Sequence, residues 1–292
     1  MPVLPEAAFF SEARSDALFA DRLPPAGRGD LPRILLSIVR HLHAAIRETK
    51  PTHEDWRKAI RFLTEVGHAS DDRRQEWVLL SDLLGISALV DDLNANRPPG
   101  ATPNTPRGPF YRADVPVFEN GSDICLDGKG TALSVFGTVE DLDGRPIAGA
   151  RVETWQANGE GIYENQQPDL QPDNNLRGVF LTDSAGQFSY KTVKPAGYPV
   201  PHDGPVGALM TQLGLPLRRP AHLHFQISAQ GYQTLTTQVF DRDDPHLCED
   251  AVFGVKKGLL GDFRRRTGEA GPSANSLEFT FVLCSQRPGG SR

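Results

Sequence analysis

Cysteine is scarce: Cys125, Cys248 and Cys284 are the only three in 292 residues. An odd number at wide spacing suggests neither a disulfide framework nor a paired-thiol zinc site, and buried, reduced thiols are expected. A cationic surplus is also absent. Lysine and arginine total 31 against 37 aspartates and glutamates, for a net charge of -6, which gives no support to a nucleic-acid footprint. No apolar run approaches the roughly 18 residues of a membrane span. The opening Met1-Pro2-Val3-Leu4-Pro5-Glu6 lacks the charged-then-apolar layout of a signal peptide, so a cytoplasmic location is the expectation. No repeat of fixed period is evident. What is present is an ordinary globular composition, 38% hydrophobic and 23% charged, in a chain long enough for one large domain and a smaller appendage.

The N-terminal third has helical periodicity. Leu31, Ile34, Leu35, Ile38, Val39, Leu42, Ala45 and Ile46 recur at three- and four-residue intervals, which predicts an amphipathic helix over 31 to 48. His41 and His43 lie within it; two apart on a helix, they diverge by about 200° and cannot grip one ion. Pro51-Thr52-His53-Glu54-Asp55 marks a second start, with Thr52 as N-cap and acids in the first turn. That helix runs to Val66 with Trp56, Ile60 and Leu63 on its stripe. A third is predicted from Asp72 to Leu93, with an apolar stripe broad enough to face the rest of the chain or a second subunit. Asn94 to Pro106, rich in proline, ends it. The expected domains are therefore 1–106, helical, and 107–292.

Beyond residue 107, short β-branched and aromatic runs alternate with Gly, Pro, Asp and Asn clusters, the texture of an all-β sandwich. Strands are predicted at 131–139, 150–155, 178–182, 187–193, 221–228, 235–240 and 276–284, paired antiparallel because their connections are short. Two long inserts without strand character interrupt them, Asn158 to Arg177 and Lys194 to Arg218. Long structureless connections in a compact domain usually carry function.

The candidate chemistry lies around the second insert. In a strand, residues i and i+2 share a face, so His222 and His224, in Arg219-Pro220-Ala221-His222-Leu223-His224-Phe225, can clamp one ion. Two of only five tyrosines sit in Gly- and Pro-rich loops: Tyr163 after Gly159-Glu160-Gly161-Ile162, and Tyr198 in Gly197-Tyr198-Pro199. Taken singly, each tyrosine also reads as an aromatic packed under its loop, and the histidines as core or solvent residues.

In combination, Tyr163, Gly197-Tyr198-Pro199, the histidine motif and Thr236-Thr237-Gln238 resemble the intradiol ring-cleaving dioxygenases, the catechol 1,2-dioxygenase group. The resemblance extends from Glu76-Trp77-Val78-Leu79-Leu80-Ser81-Asp82 through Gly108-Pro109-Phe110-Tyr111 to Ala251-Val252-Phe253-Gly254-Val255-Lys256, and so covers most of the chain. It implies a mainly β protein: an antiparallel β-sandwich catalytic domain after an N-terminal α-helical linker domain through which two subunits dimerise, with a phospholipid between the helices. It also implies one non-haem ferric ion per subunit, held by Tyr163, Tyr198, His222 and His224. Two phenolates are hard, anionic donors suited to the trivalent ion. The resemblance assigns Tyr198 the role of the ligand that leaves the metal as it takes a substrate proton. It assigns Arg219 stabilisation of charge developing on the ring, and Gln238 a supporting hydrogen bond. The implied reaction opens a catechol between its hydroxyl carbons with O2, giving a muconate-type diacid.

Local sequences are more similar to the group acting on hydroxyquinol (benzene-1,2,4-triol), whose product is 3-hydroxy-cis,cis-muconate or its tautomer maleylacetate. Asp82 is the most informative, since a carboxylate there can accept a hydrogen bond from the additional hydroxyl. Pro201-His202-Asp203-Gly204-Pro205-Val206-Gly207 and Asp250-Ala251-Val252-Phe253-Gly254 follow the same group. Leu79, Pro109, Phe110, Val200, Pro201 and Val252 are expected to form the apolar pocket wall around the ring, with Gly108 also among the substrate-binding residues. Arg107 departs from the group's apolar residue and faces either the pocket or solvent. The alternatives are a catechol or substituted-catechol 1,2-dioxygenase and, outside enzymes, a transthyretin-like ligand-binding sandwich.

Overall fold

A computed structural model describes residues 9–23, 30–71, 74–95, 97–265 and 275–286. The chain divides into two compact units, Met1–Glu65 and Val66–Arg292. The first unit contains α1 (Ser15–Ala20), α2 (Leu31–Thr49) and most of α3 (His53–His68). The predicted cap of α3 is two-way. Thr52 Oγ1 accepts the Asp55 N–H at 3.2 Å, and Asp55 Oδ2 accepts the Thr52 N–H at 3.1 Å. Along α2 the apolar stripe is exposed, from Leu31 through Ile38 to Ile46. His41 is exposed and His43 half-buried.

The second unit opens with α4 (Glu76–Leu83) and α5 (Ile86–Ala95) where the periodicity predicts one helix; its expected start at Asp72 lies outside the described residues. The break falls at Gly85, whose φ of +70° ends α4 in the left-handed region. The φ favours glycine there, and a Cβ would also stand in tight contact, 3.2 Å from the Phe253 ring.

The strands follow as β1 (Ala132–Asp141), β2 (Arg151–Trp155), β3 (Arg177–Leu181), β4 (Gln187–Val193) and β5 (Tyr198–Pro199). After α6 (Pro205–Gln212) come β6 (Arg218–Arg219), β7 (His222–Ser228), β8 (Leu235–Asp241), β9 (Leu260–Gly261), β10 (Arg264–Arg265) and β11 (Asn275–Leu283). They form two sheets, ordered β10-β11-β1-β4 and β3-β2-β7-β8-β9, and the small pair β5-β6. Pairing is mixed. β2, β3, β7 and β8 pair antiparallel as expected, whereas β1 with β11 and β8 with β9 are parallel. Neither parallel pair is joined by a hairpin, so short-connection reasoning does not fix its direction.

Leu133, Val135, Phe188 and Phe281 from one sheet meet Val152, Phe180, Phe225 and Val239 from the other in a single core. That makes the two sheets a sandwich. β1 alternates buried and accessible residues, but β7 is buried on both faces from His222 to Phe225. Its second face, carrying the histidines, is covered by the two inserts. These are not structureless. The first carries a short 3-10 turn, Glu164–Gln166, and the second carries β5, α6 and β6. Pro205 starts α6, Val206 and Met210 are buried, and the buried Glu76 carboxylate of α4 accepts the Val206 N–H at 3.1 Å. The expectation of buried cysteines holds for Cys284 alone: Cys125 is half-buried and Cys248 exposed, on a turn that buries no side chain. Among the described residues no helix is long and apolar enough to cross a membrane.

Candidate active site and metal centre

Strand period brings the histidines together. On β7, Leu223 points into the core while His222 and His224 point out, opposite Phe240 and Gln238 of β8. Their Nε2 atoms are 3.1 Å apart. His222 Nδ1 lies 2.7 Å from the Pro220 carbonyl. A carbonyl only accepts, so the ring proton resides on Nδ1 and Nε2 presents a lone pair. Burial, and then the Arg219 charge, lowers His222 to about 3. Burial together with His222 holds His224 well below its ordinary value. Both rings are therefore neutral donors. Trp155, paired across β2 with His224, stacks on it at 4.7 Å.

The tyrosines arrive on the two inserts. Gly161, with φ of +83°, lets the loops cross: a Cβ there would stand 2.9 Å from the Gly197 carbonyl and from Tyr198 Cβ. The Tyr163 amide donates to Gln166 Oε1 at 2.8 Å, and the ring is buried under Phe110, stacked at 4.2 Å. Tyr198 is half-buried and opposes Arg219 in the β5–β6 pair. Tyr163 Oη is 3.4 Å from Tyr198 Oη, which is 3.5 Å from His222 Nε2.

The four donor atoms thus face one another at 3.1 to 3.5 Å. Two ligands each about 2.1 Å from one ion, at a roughly tetrahedral angle, stand about 3.4 Å apart, so the spacing fits a single metal. Among the described residues no group of three histidine, cysteine or carboxylate side chains could hold an ion, and the further donor atoms beside the two imidazoles are the two phenol oxygens. Burial, followed by the neighbouring Tyr198, pushes the Tyr163 phenol well above its ordinary value. A cation at the centre of the cluster would favour the ionised form of that phenol.

Arg219 borders the cluster, with Nη1 3.3 Å from His222 Nε2. Its Nη2 donates to Gln238 Oε1 at 2.6 Å, and its Nε to Asp250 Oδ1 at 3.1 Å. Burial opposes the guanidinium charge, yet Asp250 and Tyr198 hold its pKa above the ordinary value. Asp250 Oδ2 also accepts the Gly254 N–H at 2.8 Å.

Comparison with known proteins points the same way as this geometry. Residues 107–285 match the family described as "Dioxygenase", and residues 31–102 match "Catechol dioxygenase N terminus". The chain belongs to the intradiol ring-cleaving dioxygenase family. It is 50% identical over 257 residues to a hydroxyquinol 1,2-dioxygenase from a Rhizobium species, covering 88% of this chain and 87% of that protein. It is 44% identical to a 6-chlorohydroxyquinol 1,2-dioxygenase from Cupriavidus pinatubonensis, covering 90% and 93%. The crystal structure of a hydroxyquinol 1,2-dioxygenase from Pseudomonas putida superposes with a TM-score of 0.90 at 39% identity, covering 94% of this chain and 99% of that one.

The remaining residues singled out by the family resemblance divide by position. Gly108, with φ of +74°, lies against His224: a Cβ there would meet His224 Cε1 at 3.4 Å. On α4, Leu79 and Asp82 are half-buried. Burial raises the Asp82 carboxyl, with the Ser87 hydroxyl and then the Arg219 charge pulling it back, so Asp82 and Arg219 act in one electrostatic field. Val200 is buried and Val252 half-buried, whereas Pro109 and Pro201 are exposed. Arg107 is exposed, with its guanidinium 4.5 Å above the Tyr111 ring. Sequence reasoning did not single out Asp250 or Trp155 individually, nor the buried pair Glu164 and Arg177. Asp250 has a local signal, since it opens the family-like Asp250-Ala251-Val252-Phe253-Gly254. Glu164 and Arg177 have none, because no spacing rule links a loop acid to a strand-end arginine.

Proposed function

We propose that this dioxygenase cleaves hydroxyquinol between its 1- and 2-hydroxyl carbons with O2, giving 3-hydroxy-cis,cis-muconate or maleylacetate. The observation that carries the reading is the convergence of two phenols and two neutral imidazoles beside one buried, carboxylate-paired arginine. Non-haem iron is the metal of the family; Tyr163, Tyr198, His222 and His224 would hold one ferric ion per subunit. When bound, that ion serves as the Lewis acid that coordinates the diol and makes the ring reactive towards oxygen.

The protein's own groups do the rest. Tyr198 is the more accessible phenol and sits on a two-residue strand, so its Oη is suited to take a proton from the incoming diol. Arg219 is fixed by Asp250 and Gln238, and its charge stabilises the anion that develops on the ring without reorganising. The Asp82 carboxyl accepts the 4-hydroxyl, which catechol lacks. Leu79, Phe110, Val200 and Val252, with the backbone at Gly108, exclude water around the ring.

In this reading, residues 1–106 form the linker and dimerisation domain and 107–292 the catalytic domain. The exposed stripe of α2 supports a homodimer through the N-terminal helices, with a phospholipid chain as a further occupant of those apolar faces. The test is oxygen uptake by the purified iron-loaded protein on hydroxyquinol, catechol and chlorinated catechols, with identification of products. Hydroxyquinol is expected to give the highest kcat/KM, and phenolate-to-iron charge transfer to colour the protein red. A folded, colourless protein that takes up no oxygen would overturn the reading.

A further inference from the structure

Arg177 opens β3 opposite Trp155 and is among the largest fully buried side chains of the protein. Its Nε and Nη2 donate to Glu164 Oε1 and Oε2 at 2.6 and 2.7 Å, and its Nη1 donates to the Phe110 carbonyl at 2.6 Å. Glu164 directly follows Tyr163 in the chain, and the Phe110 ring is stacked on the Tyr163 ring with a 20° interplanar angle. One planar guanidinium therefore holds both the covalent neighbour and the stacking partner of the same phenol. Its carbon lies 6.0 Å from the Tyr163 ring centroid. From outside, Arg112 Nη1 adds bonds to Glu164 Oε1 at 3.1 Å and to Asp173 Oδ1 at 2.6 Å.

Stability does not by itself account for this arrangement. A buried ion pair gains little over apolar side chains of the same volume, since desolvation offsets the attraction. What apolar side chains cannot supply is direction. Three short bonds in one rigid plane fix both the 163–164 backbone and the Phe110 peptide. We propose that Arg177, acting through Glu164 and the Phe110 carbonyl, is a positioning residue that sets the ring orientation of Tyr163 and hence its quality as a metal donor. This rests on the reading of Tyr163 as a ligand.

Two variants of the iron-loaded full chain test it. Glu164→Gln keeps the side-chain shape but weakens the fork. The double variant Arg177→Met with Glu164→Met removes the fork and leaves no unpaired buried charge, so its thermal unfolding is expected to stay close to that of the parent. In both, the visible phenolate-to-iron band is expected to shift, and kcat to fall by up to about 10²-fold, as a misplaced reacting group does, with KM changed much less. Arg112→Ala, which removes a longer bond to Glu164 Oε1 and the bond to Asp173 but leaves the Arg177 fork whole, is expected to leave the band in place. A folded double variant with the parent's band and kcat would make the fork purely structural and overturn the proposal. A parent protein that binds iron without any phenolate band would instead remove Tyr163 as a ligand, and the proposal with it.

Discussion

Arg219 has three partners, Asp250, Gln238 and the edge of His222, and each limits what its substitution can do. Arg219→Ala removes the cation proposed to face the reacting ring but none of the four side chains proposed to hold the metal. It is expected to retain iron and colour while kcat falls by about 10²–10³-fold, the usual effect of deleting one preorganised donor. Steady-state kinetics with a metal assay checks this. The change also leaves the Asp250 carboxylate buried without its cation, which costs about 3–5 kcal/mol, so thermal unfolding is measured alongside. Asp82 bears on selectivity instead. In Asp82→Ala the ratio of kcat/KM for hydroxyquinol over catechol is expected to drop by about 10- to 100-fold, the effect of losing one hydrogen bond to a charged group. Equal losses on both substrates would remove Asp82 from substrate choice.

Elements matter here through where they cross. The Tyr163 loop and the Tyr198 strand meet at Gly161, where backbone and Tyr198 Cβ fill the space a side chain would need. Gly161→Ala is expected to weaken iron binding and the visible band as well as stability. Gly144→Ala is the control, for it has the same kind of positive φ, +74°, with nothing within 4 Å of its Cβ. The control carries only the left-handed backbone cost of about 1–2 kcal/mol. If the two variants lose metal affinity equally, loop crossing does not govern the tyrosines. The register of β7 on β8 is the other positioning element: a one-residue slip would turn both histidines into the core.

At the scale of the whole molecule, the sandwich core and the helical segment have different tasks. The core between the sheets is closed by its own aromatic residues, whereas α2 leaves Ile38 and Leu42 half or more exposed. On the proposal that two subunits pair through α2, Ile38→Glu combined with Leu42→Glu is expected to give a monomer where the parent elutes as a dimer in size-exclusion chromatography, with the colour of the iron-loaded protein retained. An unchanged elution volume would take α2 out of the subunit contact.

The seven main strands, the cap of α3 and the same-face histidines were legible in the sequence because each depends on local rules: a period of two, a period of 3.6 and short-range capping. The family motifs singled out Tyr163, Tyr198, His222, His224 and Arg219, which the structure brings together, because each motif is contiguous. Other features depended on partners distant in the chain. The α4–α5 break sets Gly85 against the Phe253 ring, and the parallel β1–β11 pair joins the first and last strands in the chain. Glu164 meets Arg177, and Asp250 meets Arg219, only when inserts and strands are packed. Local sequence determined which groups this protein can offer to a metal and a ring. Tertiary structure decided how those groups are held, because burial and long-range pairing of charges have no signature in residue spacing.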